Sequence, residues 1–294
     1  MADLILTSPS NPRLKAVAAL RRRRTREESG RTLVEGYEEL GLALGAGVRP
    51  ETIYYCPELM LDPATQTRVV DEARRDGVET VQVSRTAFER TAYREGPDGF
   101  IAVVPSVGQP CRDLAVGPRA LTVLCQGVEK PGNLGAMLRT ADAAGVEAVI
   151  AADPVTDWGN PNLVRASKGT VFSVPVASDP TPDTLAWLDA NGIALVATTP
   201  DTEVLHTEVD YTGPVAIAVG AEKYGLTDEV LQHAAHRVRI PMVGKANSLN
   251  VATSAAIVIY EAVRQRAAAT RVAGAARRPG RPGPTDPTRV RSTP

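Results

Sequence analysis

The sequence is poor in cysteine and in long hydrophobic runs, and each shortage excludes a class of protein. Only three cysteines occur in the 294 residues, at Cys56, Cys111 and Cys125. Their odd number and wide spacing argue against a disulfide framework and against a paired-cysteine metal site. No stretch reaches the roughly 18 apolar residues of a membrane-spanning helix, and the first residues lack the pattern of a signal peptide. We therefore expect a cytoplasmic protein with buried free thiols, no metal and no membrane partner.

Common nucleotide-binding and catalytic motifs are missing as well. We find no GxGxxG between a strand and a helix and no GxxxxGK(S/T) phosphate loop. His206, His233 and His236 form no metal-binding spacing with cysteine or acidic residues, and no Ser–His–Asp arrangement has supporting context. If the chain binds an adenosyl cofactor, it must therefore hold it with backbone of another kind.

Lysine is scarce, so the basic residues are almost all arginine, and they are unevenly distributed. The formal net charge is -1, yet five arginines crowd one short segment: Arg21, Arg22, Arg23, Arg24 and Arg26. Guanidinium groups pair with phosphate and stack on bases. We therefore predict that this arginine cluster contacts a nucleic-acid backbone, with a solvated helix end as the alternative. A second basic group lies in residues 270–294, whose Pro-, Gly- and Arg-rich composition predicts disorder.

The first 105 residues alternate short β runs with helical segments, which predicts a small α/β domain. Strands are predicted at 32–36, 52–56, 80–84 and 99–104, and helices at 11–22, 37–47, 63–77 and 84–93. Residues 106–120 carry Pro and Gly with no sustained period. They are predicted to form a linker, with a surface loop inside one domain as the alternative.

Residues 121–269 predict a second, larger α/β domain. Apolar β runs of the kind that a parallel sheet buries on both faces occur at 121–128, 147–152, 194–199, 214–220 and 237–242. Helices are predicted between and after them, at 133–144, 160–168, 181–191, 227–235 and 254–269. The expected fold class is therefore α/β, with a parallel sheet covered by helices.

Three segments of this second domain, 131–145, 216–226 and 240–261, place Gly or Asn at strand ends next to helices or tight loops. Glycine at such positions lets main-chain groups approach a ligand closely. The segments also carry polar residues that a core would not accept. The key residues are Asn133, Gly135 and Arg139 in the first segment, Gly220, Glu222 and Gly225 in the second, and Pro241, Gly244, Leu249 and Asn250 in the third.

In this order and spacing, the segments resemble the three motifs of the SpoU (TrmH) RNA ribose methyltransferases of the SPOUT superfamily. The resemblance covers residues 121–268, and residues 165–176 match a further family segment. It implies a deep trefoil knot in the C-terminal segments, a homodimer whose active site is completed across the interface, and S-adenosylmethionine as cofactor. Residues 1–105 more loosely resemble the L30e-like RNA-binding domain often found before this catalytic domain.

The resemblance also implies roles for individual residues. Those expected to act in catalysis are Arg139, Asn133, Glu222 and Asn250. Those expected to hold the cofactor are Thr198, Thr199, Gly220, Glu222, Gly225, Ile240, Met242, Leu249, Asn250 and Ala252. RNA is expected to contact Arg165 and Lys168 in addition to the arginine cluster. Ala252 stands where the family often has serine, so no catalytic serine is assigned.

The implied reaction is methylation of a ribose 2′-hydroxyl in RNA. The expected substrate is 23S ribosomal RNA, because an accessory N-terminal domain is more typical of ribosomal RNA modifiers. Arg139 would either accept the hydroxyl proton or stabilise the developing alkoxide. Arginine's high basicity disfavours the first role, because a protonated guanidinium cannot accept a proton. Some family members protect the ribosome against antibiotics, and that role stands beside a housekeeping one. The alternatives are a tRNA 2′-O-methyltransferase, a non-catalytic RNA-binding protein on the same fold, and another nucleotide-dependent α/β enzyme.

Overall fold

The computed structural model describes residues 5–276, which contain two β-sheets, each with its own helices. The strands of the first sheet are β1 (Ile5–Leu6), β2 (Arg31–Glu35), β3 (Thr52–Tyr55), β4 (Glu79–Val83) and β5 (Phe100–Pro105). Its order is β1-β4-β3-β5-β2, and β5 runs antiparallel to both of its neighbours. The accompanying helices are α1 (Pro12–Ala19), α2 (Arg23–Ser29), α3 (Tyr37–Gly45), α4 (Pro63–Arg75) and α5 (Arg85–Thr91).

The helix predicted at 11–22 is followed by a separate second helix. Asn11 caps α1 by accepting a hydrogen bond from the amide of Arg13. The chain then leaves the helical conformation before α2 begins. Arg26 stabilises this break, because its guanidinium donates to the free carbonyls of Leu20 and Arg21 at 2.9 and 2.8 Å. Gly30, with a left-handed φ of 64°, ends α2. The arginine cluster therefore spans the break and the start of α2.

The second sheet is parallel throughout, which confirms the predicted fold class. Its strands are β6 (Leu121–Gln126), β7 (Ala148–Ala152), β8 (Val176–Asp179), β9 (Ala194–Thr198), β10 (Val215–Gly220) and β11 (His236–Val238). Their order is β11-β9-β10-β6-β7-β8. The helices are α6 (Pro131–Ala144), α7 (Pro161–Ala166), α8 (Thr181–Ala190), α9 (Asp228–His233) and α10 (Val251–Ala276). One core lies under α6, α7 and α10, and another lies under α8 and α9.

The structure also differs from the predicted elements in the second domain. The strand predicted at 237–242 is only β11, because Pro241 lacks an amide hydrogen and residues 241–250 are exposed. The strand β8 was not predicted, since its four residues end in the polar pair Ser178 and Asp179. Helix α10 begins earlier than predicted because Asn250 accepts hydrogen bonds from the amides of the first turn.

The same helix also enters the predicted tail. Helix α10 runs to Ala276, whereas disorder was predicted from residue 270. Alanine and arginine dominate this stretch, and both are strong helix formers. The rest of the predicted tail, residues 277–294, lies outside the described residues.

Residues 106–120 dock on the second sheet. Gln109 forms a parallel bridge with Ala177, in which the Gln109 amide donates to Val176 at 3.2 Å and the Ser178 amide donates to Gln109 at 3.0 Å. Further along, Cys111 and Leu114 are buried in the core under α8. The segment between the sheets is therefore held against the edge next to β8.

A set of buried polar contacts joins the two sheets, and we call it the domain junction. Arg26 is only 2% exposed, and its guanidinium binds both carboxylate oxygens of Asp157 at 2.9 and 2.6 Å. The hydroxyl of Thr32 donates to the carbonyl of Gly159 at 2.6 Å. A Cβ atom on Gly159 would lie 2.8 Å from that hydroxyl, so the close approach requires glycine. The junction fixes α2 and β2 against the loop before α7.

The three cysteines are buried free thiols, as predicted. Burial raises the pKa of the Cys125 thiol to about 12, so this side chain stays neutral in the core. Within residues 5–276, no helix has both the length and the apolarity to cross a membrane. No group of three or more His, Cys, Asp or Glu side chains in the same residues could hold a metal ion.

Candidate active site

Four parallel strands end side by side at one edge of the second sheet, and this edge forms the candidate active site. Gly220 at the end of β10 lies opposite Gln126 at the end of β6, and Val238 of β11 lies opposite Thr198 of β9. In open parallel sheets, ligands bind outside the carboxyl ends of the strands. Gln126 is buried and bonds the backbone and hydroxyl of Thr227, so it anchors the loop that follows β10.

A polar network connects the three motif segments at this edge. The amide of Asn133, near the start of α6, donates to the carboxylate of Glu222. Asn250 donates to the Asn133 amide oxygen at 3.1 Å and also caps α10. Lys130, which sequence reasoning missed although it lies just before the first motif, approaches Glu222 at 3.7 Å. The fold thus brings together side chains 89 and 117 positions apart, and it leaves them partly exposed.

The loop after β10 folds back tightly on Gly220. The amide of Gly225 donates to the carbonyl of Ala221 at 2.9 Å, and Gly225 has a left-handed φ of 69°. A Cβ atom on Gly220 would overlap the backbone of Gly225 and Leu226. Both glycines are therefore required by this backbone conformation. The main chain of residues 220–226 is therefore folded back beside the strand ends, and we call this loop the cradle.

Thr198 and Thr199 lie at the same edge. The amide of Thr199 donates to the carbonyl of Val238 at 2.9 Å, which ties the end of β9 to β11. The hydroxyl of Thr198 is buried and has no hydrogen-bond partner within residues 5–276. Buried polar atoms normally have partners, so this hydroxyl marks a place where a ligand could donate or accept a hydrogen bond.

The remaining predicted cofactor residues lie on and around the third motif. Ile240 is partly buried against the core, and Ala252 is buried at the start of α10. By contrast, Met242 and Leu249 are exposed on the irregular segment 241–250. Of these four side chains, Ile240 and Ala252 therefore pack on the core, whereas Met242 and Leu249 remain more than a third exposed.

Arg139 is not part of the Asn133–Glu222–Asn250 network. It lies on the exposed side of α6, six residues beyond Asn133, which corresponds to about 9 Å of helix rise. It has no hydrogen bond or ion pair within the part of the chain that the structure describes. In a single chain, this predicted catalytic side chain is therefore solvent-exposed and free to move.

The structure corrects the prediction for Arg26. Its charge is paired with Asp157 and its remaining donors bind backbone carbonyls, so it has no surface from which to contact RNA. No local pattern distinguishes Arg26 from the other four arginines of the cluster, because its partner Asp157 lies 131 positions away. The role of Arg26 is to hold the domain junction.

The other predicted RNA-contacting residues have exposed or half-buried side chains. Arg22, Arg23 and Arg24 lie exposed around the start of α2, and the last two pair with Glu27 and Glu28 on the same helix. Such exposed pairs are weak, so RNA phosphates could displace them. Arg21 is half-buried over the ring of Tyr93.

Arg165 and Lys168 are exposed at the end of α7 and just after it. Lys168 pairs with Glu38 at 3.5 Å, and Arg165 contacts Asn162. The six exposed or half-buried basic residues therefore lie on both sides of the domain junction.

Comparison with protein families gives two matches along the chain. Residues 120–260 match the SpoU rRNA methylase family, and residues 11–102 match the MRM3-like substrate binding domain. The first match contains all residues of the polar network and the cradle around Gly220. The second covers most of the first sheet with its helices.

Individual relatives match over nearly the whole length. The 23S rRNA (uridine(2479)-2'-O)-methyltransferase of Streptomyces viridochromogenes is 31% identical over 85% of this chain and 88% of its own. The 23S rRNA (guanosine(2553)-2'-O)-methyltransferase RlmP of Bacillus subtilis (strain 168) is 29% identical over 87% and 97%. The crystal structure of the AdoMet-bound rRNA methyltransferase from Sinorhizobium meliloti has a TM-score of 0.81 at 31% identity, covering 88% of this chain and 97% of that one. The similarity therefore includes both sheets.

Proposed function

Because the chain belongs to the SpoU rRNA methylase family, we propose that it methylates a ribose 2′-hydroxyl of 23S ribosomal RNA. It is an S-adenosylmethionine-dependent RNA 2′-O-methyltransferase. Both curated relatives described above are named for this reaction on this RNA, one at a uridine and the other at a guanosine. They also share the N-terminal part of the chain, which supports a ribosomal RNA substrate over a transfer RNA.

The observation that carries the proposal is the Asn133–Glu222–Asn250 network. Its three members come from the three motif segments, and hydrogen bonds join them beside the strand ends. The three side chains remain partly exposed, so they keep hydrogen-bonding capacity that a ligand can use. We propose that they orient the target nucleotide.

The edge of the second sheet fits an adenosyl cofactor. The cradle around Gly220 presents main chain where any side chain would overlap the loop, and the Thr198 hydroxyl is buried and unpaired. When bound, S-adenosylmethionine supplies the activated methyl group. We propose that the cofactor is held by Thr198, Thr199, Gly220, Glu222, Gly225, Ile240, Met242, Leu249, Asn250 and Ala252.

The acceptor in this reaction is the ribose 2′-hydroxyl, the group that distinguishes RNA from DNA. The protein's first task is positioning, since an aligned acceptor removes much of the entropic barrier. The hydroxyl must also lose its proton, and negative charge then develops on its oxygen. We assign Arg139 to stabilise that charge, because an exposed guanidinium stays protonated and donates in a planar fork.

We further propose a homodimer, since Arg139 lies away from the network of its own chain. Pairing of two copies would bring Arg139 of one protomer to the network of its partner. The exposed apolar side chains of Met242, Val243 and Leu249 near the site favour a covering surface of this kind. The family resemblance also leads us to propose a trefoil knot around the third motif, an L30e-like fold for the first sheet, and a cytoplasmic location.

The test is transfer of labelled methyl from S-adenosylmethionine to unmodified 23S rRNA, 16S rRNA and tRNA. We expect incorporation into 23S rRNA, resistant to alkali at one linkage because a methylated 2′-oxygen cannot attack the phosphate. Arg139→Ala should reduce the rate at least about 100-fold, and Arg139→Lys should also be impaired, because a point charge does not replace the guanidinium fork.

Arg75→Ala is the matched control, because Arg75 is an exposed arginine on α4 of the other sheet. It should methylate like the wild type. Incorporation into tRNA alone would replace the proposed substrate. Cofactor binding without transfer to any RNA would favour a non-catalytic RNA-binding protein. Mapping the methylated nucleotide then distinguishes a housekeeping site from one where a ribosome-targeting antibiotic binds.

A further inference from the structure

Tyr93 is an exposed aromatic residue at the domain junction, and the proposed mechanism does not use it. Aromatic residues make up only 4% of the sequence. Within residues 5–276, the tyrosines with large exposed surfaces are Tyr93, Tyr224 and Tyr260, and Tyr93 is 41% exposed. A single exposed aromatic ring is ordinary on a protein surface, so the contacts of Tyr93 decide whether the ring is a candidate binding surface.

Two residues, Glu35 and Asn162, hold Tyr93 in place. The carboxylate of Glu35 accepts hydrogen bonds from the backbone amides of Tyr93 and Arg94 at 2.8 to 3.1 Å. Glu35 is half-buried at the end of β2, and this burial raises the pKa of its carboxyl. At the other end, the hydroxyl of Tyr93 accepts from the Asn162 side chain at 3.0 Å, across the domain junction. The ring is thus fixed at its backbone and at its tip.

Arg21 stacks on this ring. Its guanidinium carbon lies 5.7 Å from the ring centroid. The guanidinium also donates a hydrogen bond to the carbonyl of Thr91. A cation above an aromatic face is attracted by the ring, and the pair presents a planar, positively charged surface. Nucleic-acid-binding proteins use such surfaces because every base has a π-face and every nucleotide has a phosphate.

The small cleft beside Tyr93 limits how a ligand can bind. Its lining includes Leu33, Glu35, Arg94, Pro161 and Arg165, and its volume is about 10 Å³. This is room for roughly one water molecule, so a base cannot insert. A base can only lie on the exposed part of the ring.

The position of Tyr93 connects the arginine cluster with the candidate active site. On one side, Arg21 continues into the exposed Arg22, Arg23 and Arg24. On the other, Asn162 and Arg165 lie on α7, and a Cβ atom on Gly135 of α6 would lie 2.5 Å from Ala166. Helices α6 and α7 therefore touch two residues from Asn133. Tyr93 therefore lies between the arginine cluster and helix α7, which packs against the helix that carries Asn133.

We propose that Tyr93, backed by Arg21, is a stacking platform for one unpaired base of the substrate RNA. The inference rests on the proposed function, since it names how that substrate is held away from the reacting ribose. Unpaired bases in loops and bulges are what proteins stack on aromatic side chains, because helical RNA hides its bases. The neighbouring exposed arginines bind the phosphates on either side.

Binding of a 12-nucleotide oligoadenylate with one central 2-aminopurine tests the platform, and the assay contains no S-adenosylmethionine. Fluorescence anisotropy gives the affinity, and quenching of 2-aminopurine reports stacking. The full-length Tyr93→Ala protein should bind about 10-fold more weakly and should lose the quenching. Tyr93→Phe should keep both, because it retains the ring and loses only the hydroxyl bond to Asn162.

Tyr260→Ala is the matched control, because Tyr260 is also an exposed tyrosine and lies on α10, away from Arg21 and Asn162. It should bind RNA like the wild type, and thermal melting should be similar for all variants. Raising the salt concentration should reduce the effect of Arg22→Ala and leave the effect of Tyr93→Ala unchanged, since stacking releases few counterions.

Equal affinity and equal quenching for wild type and Tyr93→Ala would overturn the platform, as would failure of the wild type to bind the oligonucleotide. The outcome is separate from that of methyl transfer. Quenching of 2-aminopurine without methyl transfer to any RNA would support the platform and contradict the proposed function. Transfer to 23S rRNA with an unaffected Tyr93→Ala protein would remove the platform alone.

Discussion

The domain junction and the candidate active site are both polar, yet they treat their polar groups in opposite ways. At the junction, Arg26 is 2% exposed and all of its bonds go to Asp157 and backbone carbonyls. At the site, Asn133 and Glu222 contact each other but remain partly exposed, and the Thr198 hydroxyl is buried without a partner in the described residues.

This difference distinguishes polar groups that hold two domains together from polar groups that are available to bind a ligand. A charge can be buried only when the protein supplies its partners, and the junction does so completely. A site that binds must keep hydrogen-bonding capacity for its ligand, so its groups are left incompletely satisfied. The same residue type is fully paired in one region, as Arg26 is in the junction, and has no partner within residues 5–276 in the other, as is true of Arg139 on the exposed face of α6.

The largest effect is expected from Gly220→Ala, which tests the site side of the comparison. The new methyl group would overlap the backbone of Gly225 and Leu226, so the loop carrying Glu222 must move. Displacement of about 1 Å at a reacting centre can cost about 100-fold in rate. We expect at least that loss in methyl transfer, with weaker cofactor binding by calorimetry. A variant with normal affinity and rate would show that the cradle is not used.

Arg26→Ala tests the junction side. It leaves Asp157 without its partner and exposes two carbonyls, and breaking a buried pair of this kind costs about 3 kcal/mol. Chemical denaturation followed by circular dichroism measures the change. We expect the loss in stability to exceed any loss in cofactor affinity, because within residues 5–276 none of the junction's own hydrogen bonds goes to a residue at the ends of β6, β9, β10 or β11.

Arg24→Ala is the matched control for this experiment. Arg24 belongs to the same cluster, but its side chain is 88% exposed and, within residues 5–276, pairs only with Glu28. Its removal should change stability by less than about 0.5 kcal/mol. Similar destabilisation by the two substitutions would contradict the assignment of Arg26 to the junction.

The smallest effect is expected from Thr198→Val, which removes the unpaired hydroxyl and keeps the shape. Without ligand, the protein should gain roughly 1 kcal/mol in stability, because a buried group without a partner is lost. Affinity for S-adenosylmethionine should fall about fivefold if the hydroxyl binds the cofactor. Thermal melting with and without cofactor separates the two effects. A variant that is less stable without ligand would mean that the hydroxyl already has a partner.

Much of the fold was predictable because its signal is local. The apolar runs of β6, β7, β9 and β10 are buried on both faces, so they stand out from the alternating pattern of exposed strands. Strand β8 was not predicted, because it has only four residues and the last two are polar. The strand predicted at 237–242 ends at Val238, because Pro241 and an exposed segment follow.

The sequence by itself determined the second sheet, the order of its helices and the three motif segments. These depend on the hydrophobic period and on the few conformations open to glycine and asparagine, and both are read over short stretches of chain. Only the tertiary structure decided which arginine is buried, which residues meet at the strand ends, and that Tyr93 stands beside Arg21. Such contacts join positions up to 131 residues apart, as for Arg26 and Asp157. Local sequence patterns extend over short stretches only, so they cannot predict which distant residues meet.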